Sequence, residues 1–148
     1  MAKGFTVKEG IARPPEAVWA TLADPARMPL WMDSVEAMKP AEPGPLGEGS
    51  RLLARLKTRG RGGDSEVRIV DWEPGRRMAL SSSEGGVTAV YDYRCRAAES
   101  GTEVTLEARC EARGLLWRLL HPLVALMMKR TDGKQLANLR RVLEQDAG

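Results

Sequence analysis

His121 is the single imidazole in this chain, hence the only side chain with an unperturbed pKa near neutrality, and it stands directly before Pro122. If a proton must move, His121 and Glu9 are the candidate general acids or bases. Glu9 stands out because it interrupts an apolar alternation, Phe5, Val7, Glu9, Ile11. A carboxylate held on the buried side of a strand needs a hydrogen-bond partner or a raised pKa. The other resolution is a strand frayed or bulged so that Glu9 reaches water. Tyr91 and Tyr93 fall on one strand face, roughly 7 Å apart. Their hydroxyls could orient a carbonyl or a phenol inside an apolar pocket. As core aromatics with satisfied hydroxyls they need no ligand.

Other chemistries fail on inventory. A lone histidine and the absence of a G-x-S-x-G turn argue against nucleophilic hydrolysis. Two cysteines, Cys95 and Cys110, match no CxxC spacing, and with one histidine they make no metal site. A hairpin turn near Ser100-Gly101 sets Cys95 opposite Leu106 and Cys110 opposite Tyr91, out of register for a disulfide. No glycine-rich turn leads from a strand into a helix, so no cofactor is expected. Arg59-Gly60-Arg61-Gly62-Gly63 looks like a lone RGG element but reads more simply as a hairpin tip.

Composition narrows the class further. Lys and Arg number 23 against 20 Asp and Glu, a formal charge of +3 that is too mild and scattered to imply a nucleic-acid partner. The 148 residues, 43% hydrophobic, suit one domain spanning 1–148. The longest apolar run, Leu115 to Met128, is broken by Arg118 and His121 and falls short of the ~20 residues that span a bilayer. With no apolar segment after Met1, a cytoplasmic location is expected.

The elements that must position these groups follow from periodicity. Phe5 to Ile11 predicts a first strand, ended by Arg13-Pro14-Pro15, with Pro15 and Glu16 opening a short helix. Asp24-Pro25 starts a second, distorted by Pro29 and carrying Trp31 at its far end. Pro and Gly between Lys39 and Gly49 read as loop. About six antiparallel strands are expected next, the clearest being Ala89 to Ala97 and Val104 to Glu111. Trp72-Glu73-Pro74-Gly75 reads as a turn among them. From Gly114 to about Glu144 the chain reads as one helix, roughly 45 Å long, kinked near Pro122 and Gly133.

This order, with Arg13-Pro14-Pro15-Glu16-Ala17-Val18-Trp19, Asp24-Pro25…Trp31, Gly101-Thr102-Glu103-Val104 and Leu136…Leu139…Leu143-Glu144, resembles the polyketide cyclase/dehydrase and lipid-transport family of the START-like (SRPBCC) superfamily. The resemblance covers nearly the whole chain and implies an α+β helix-grip fold: a curved antiparallel sheet of about seven strands around a long C-terminal helix, two short helices after the first strand, and an apolar cavity. It implies a small hydrophobic ligand such as a lipid, quinone or polyketide. No catalytic set is shared across the family, so function rests on the pocket this sequence builds.

Strand parity places Leu52, Ala54, Leu56, Val67, Ile69, Tyr91, Tyr93, Cys95, Leu106, Ala108 and Cys110 on the concave wall, with Val7, Glu9 and Leu80. Trp31 stands at one end, and Leu116, Leu119, Leu120, Leu123 and Met127 close the wall from the helix. The same residues could simply pack. A single Phe and small side chains at Ala54, Ala89, Ala108 and Cys110 favour open space. Leu115 to Met128 is apolar nearly all round, leaving Trp117, Val124 and Leu126 for a second contact. That contact is the short N-terminal helices, a homodimer partner, or a transient membrane surface with Lys129 and Arg130 at the headgroups. Three functions remain open: a binding protein for a hydrophobic ligand, a cyclase or dehydratase using Glu9, His121 or a tyrosine, and a protein-interaction module contacting partners through the basic hairpin and Trp117.

Overall fold

The computed structural model describes residues 2–57, 65–84, 87–112 and 114–146, and the side chains among these except at 2, 3, 84, 112, 116, 117 and 146. Strand β1 (Ala2–Ile11) leads into α1 (Pro15–Leu22) and a 3₁₀ helix (Pro25–Leu30). Strands β2 (Val35–Pro40), β3 (Arg51–Leu56), β4 (Ser65–Glu73), β5 (Arg77–Glu84), β6 (Val87–Ala98) and β7 (Gly101–Ala112) follow. Helices α2 (Leu115–Leu119), α3 (His121–Asp132) and α4 (Gln135–Asp146) complete the chain. The strands form one antiparallel sheet in the order β1-β7-β6-β5-β4-β3-β2. The first two strands therefore lie at opposite edges, and the two short helices carry the chain across.

Local chemistry accounts for that crossing. Pro14 is extended and Pro15 enters the first turn of α1, where its missing N–H costs nothing. The Asp24 carboxylate accepts from the Ala26 N–H at 3.0 Å, capping the 3₁₀ helix. Register shifts between Lys3 and Phe5, Val35 and Ala37, and Ile69 and Asp71 bend three strands and curve the sheet. Leu136, Leu139 and Leu143 of α4 are buried, each stabilising by ~1.5–3 kcal/mol. They pack in one core with Val18, Leu22, Met28, Trp31, Tyr93 and Leu106.

Several expectations need correction. Lys39 and Pro40 belong to β2 rather than to a loop. The bulge gives that edge strand two exposed residues between buried Val35 and Met38, which hides the period of two. Trp72 still lies within β4, its ring edge-on to Trp19 at 5.2 Å. The β6–β7 hairpin turns on Glu99-Ser100, so Cys95 faces Val104 and Cys110 faces Ala89, two residues from the expected register. Both cysteines are free thiols.

The C-terminal helix breaks at Leu120, before Pro122, and at Gly133-Lys134, where the sequence puts its kinks. Its first half does not close the cavity. Leu123 and Met127 are 53% and 58% exposed, and Leu119 is 71% exposed. Leu120 is half-buried. One helix cannot turn two apolar faces to the same sheet, and α3 presents His121, Val124, Ala125 and Met128 inward instead. The expectation for Leu116, the contact of Trp117 and the basic hairpin at 59–63 fall outside the described side chains and residues. Among the described residues no helix is long and apolar enough to cross a membrane.

Candidate functional site

With α4 filling the concave face beside β1, space remains at the other half of the grip. A cavity of about 350 Å³ lies there, within the ~300–1,000 Å³ of small-molecule pockets. Of the strand residues expected on its wall, Ala54, Leu56, Val67, Leu80 and Tyr91 line it, joined by Met38 and Ala89. Met32 and Val35, after the 3₁₀ helix, form its end, and Ser81, Ser82 and Thr131 add hydroxyls. Leu52, Ile69, Tyr93, Leu106, Ala108, Cys110 and Trp31 are buried as packed core instead of cavity wall. The Trp31 ring meets Tyr93 edge-on at 5.4 Å, and its indole N–H has no hydrogen-bond partner among the described residues. Cys95 is half-buried against the same core, and burial pushes its thiol up to about 11.

Besides the hydroxyls of Ser81, Ser82 and Thr131, the cavity has one hydrogen-bonded polar corner, where Ser34, Tyr91, Asp132 and Gln135 meet. The Tyr91 hydroxyl donates to Asp132 Oδ2. Ser34 Oγ donates to Asp132 Oδ1 at 3.2 Å, and Gln135 Nε2 donates to the same oxygen at 3.2 Å. The Tyr93 hydroxyl in turn donates to Gln135 Oε1. Burial raises the Asp132 carboxyl above its ordinary range, against the three donors that favour its charge. Burial first, and then the facing carboxylate, push the Tyr91 phenol upward, so it stays a neutral donor.

Asp132, Gln135 and Ser34 escaped the sequence reading, although one signal for Asp132 was present. It is the only carboxylate in α3 and stands at the C-terminus, where the helix dipole disfavours negative charge. Such a placement requires donors from elsewhere in the fold.

The two residues expected to move protons are engaged away from this corner. Glu9 is on the helix side of β1, as parity requires, but Arg140 Nη1 of α4 donates to it at 3.0 Å. His121 Nε2 lies 3.1 Å from the buried Cys110 Sγ, joining the start of α3 to β7. Neither lines the cavity. Among the described residues no three His, Cys, Asp or Glu side chains are grouped to hold a metal ion.

A larger depression, about 510 Å³, lies on the convex face. Several of its charges pair with one another: Arg77 donates to Asp92 at 2.9 and 3.1 Å, and Arg96 to Glu103 at 2.9 Å. Burial pushes the Asp92 carboxyl up, but bonds from Arg77 and Arg94 outweigh it and hold it below the usual range.

The sequence and fold have counterparts. Rv2574, an uncharacterized protein of Mycobacterium tuberculosis, is 32% identical over 139 aligned positions, covering 88% of this chain and 78% of that protein. The Zhui aromatase/cyclase of Streptomyces sp. R1128 superposes with a TM-score of 0.74 at 18% identity, covering 97% of this chain and 93% of that one. TTHA0849 of Thermus thermophilus gives 0.74 at 19% identity, covering 97% and 98%. Residues 3–144 match the family described as polyketide cyclase / dehydrase and lipid transport. With its curved seven-stranded sheet gripping a C-terminal helix, the START-like helix-grip fold, the chain belongs to that family.

Proposed function

We propose that this protein binds a small hydrophobic or aromatic molecule bearing one hydroxyl, with the hydroxyl at the Tyr91–Asp132 corner. The observation that carries the reading is the state of that corner. The Tyr91 and Ser34 hydroxyl protons and a Gln135 amide proton are already committed, all to Asp132. What remains there is acceptor capacity on the carboxylate and on the phenol oxygen, beside the second Gln135 amide proton. Because a hydrogen bond to the charged carboxylate is stronger than one from a neutral amide, a ligand donor is favoured over a bare carbonyl. The apolar wall supplies affinity and the corner fixes orientation.

Thermal unfolding with naphthol and with methoxynaphthalene tests this. A saturable rise in melting temperature with naphthol, and a smaller one with its methyl ether, is expected. Equal shifts would remove the role of the corner. No shift with these or with fatty acids, quinones, sterols and aromatic polyketides would remove the ligand-binding reading.

A cyclase reading is favoured by one observation, a carboxyl with raised pKa in the cavity wall. In its ionised form Asp132 would take a proton from a carbon flanked by two carbonyls. The resulting enolate would attack a third carbonyl of the same molecule, and Asp132 would return the proton to the new alkoxide. Asp132→Asn retaining ligand but losing turnover of a poly-β-ketone supports this reading. Unchanged turnover ends it.

A further inference from the structure

Helices α2 and α3 carry an apolar stripe with no cover. Leu115, Leu119, Leu123 and Leu126 are 74%, 71%, 53% and 53% exposed, with Met127 beside them at 58%. Leu115 and Leu119 stand four apart in α2, and Leu123 and Leu126 three apart in α3, so each pair shares one side of its helix. The opposite side is spent on the sheet, where His121 meets Cys110 and Met128 packs against the core. Exposed Arg118, Lys129 and Arg130 flank the stripe, and Lys134 follows. From Leu115 to Thr131 there is no Asp or Glu, and Asp132 is buried.

We infer that this face docks on an anionic membrane surface, its leucines entering the headgroup boundary and Arg118, Lys129 and Arg130 meeting lipid phosphates. Charge decides the occupant. A second copy packed on the stripe would bring a second set of these cations with no carboxylate on either helix face to balance them. An anionic bilayer supplies the missing charge along both flanks, and an apolar face rimmed by Lys and Arg is the composition of an interfacial helix. The stripe ends where Thr131 and Asp132 enter the cavity wall, so docking sets the membrane beside the cavity. The inference concerns the surface alone and stands whether or not the cavity holds a hydroxylated ligand.

Cosedimentation with phosphatidylcholine vesicles, with and without phosphatidylglycerol, tests it on the full chain. Binding to the anionic vesicles only is expected, weakening as salt rises. Each of Lys129→Glu and Arg130→Glu should lower the partition coefficient at least about fivefold. Leu119→Asp/Leu123→Asp, two exposed positions, should abolish pelleting while leaving the thermal melt of the free protein intact. Equal pelleting of that double variant, or no preference for anionic vesicles, overturns the inference. So does a wild-type dimer by light scattering that the double variant dissociates.

Discussion

The Tyr91 hydroxyl, in the middle of β6, donates to the Asp132 carboxylate at the last turn of α3, joining sheet and helix at the edge of the cavity. The pair does two things at once. It satisfies a buried charge at an electrostatically unfavourable helix end, and it gives the pocket its one ionisable corner.

Tyr91→Phe removes one of three donors to a carboxylate that stays buried. A loss of about 1–3 kcal/mol is expected, read as a lower urea midpoint at unchanged slope. The variant should also lose discrimination between naphthol and its methyl ether. Wild-type stability would mean that water replaces the phenol without cost.

The carboxyl of Asp132 is raised in the folded protein, so between its unfolded and folded pKa values the native state binds more protons than the unfolded one. Its favourable contribution is complete below the unfolded pKa and lost as pH rises through the folded value. Asp132→Asn, which keeps the shape without the charge, should raise the melting temperature relative to wild type more at pH 7 than at pH 4. A variant less stable at pH 7 than at pH 4, relative to wild type, contradicts the assignment.

Gly101 has φ +151°, and a Cβ there would lie 2.1 Å from the Ile11 carbonyl oxygen. Backbone cannot yield as a flexible side chain does. Gly101→Ala should cost about 3 kcal/mol or more, while Gly10→Ala, with open space around it, costs far less. Paired denaturant melts distinguish the two, and equal midpoints would deny the close approach.

Both thiols are raised by burial, Cys95 to about 11. At pH 8 about one part in a thousand of Cys95 is thiolate. Native protein should label slowly with iodoacetamide and take up two equivalents once unfolded. Rapid labelling of one native thiol would mean that His121 activates Cys110 despite its burial.

Sequence periodicity carried most of the architecture because most strands bury one face. Val104, Leu106, Ala108 and Cys110 alternate with exposed or half-buried neighbours, as read. It failed at β2, where a bulge replaces a period of two by a spacing of three, and at the hairpin register, which depends on which two residues turn. The cavity was legible on its strand side, at Ala54, Leu56, Val67, Leu80 and Tyr91, because parity fixes the face. Its helix side was not, since two apolar faces compete on α3 and tertiary packing alone decides between them. Glu9 shows the same boundary. Its facing was readable, but its partner Arg140 comes from a segment 131 residues away that no local pattern connects to it.

Strand β1 pairs only with β7, and the Thr102 hydroxyl closes on the Arg13 carbonyl across 89 residues of chain. On the ribosome β1 emerges well before β7, the strand that pairs with its edge. Until then Phe5, Val7 and Ile11 present an open edge to any neighbouring chain. Closure of the sheet is thereby tied to the synthesis of β7, and the interval between the two strands is when that edge is most exposed to aggregation.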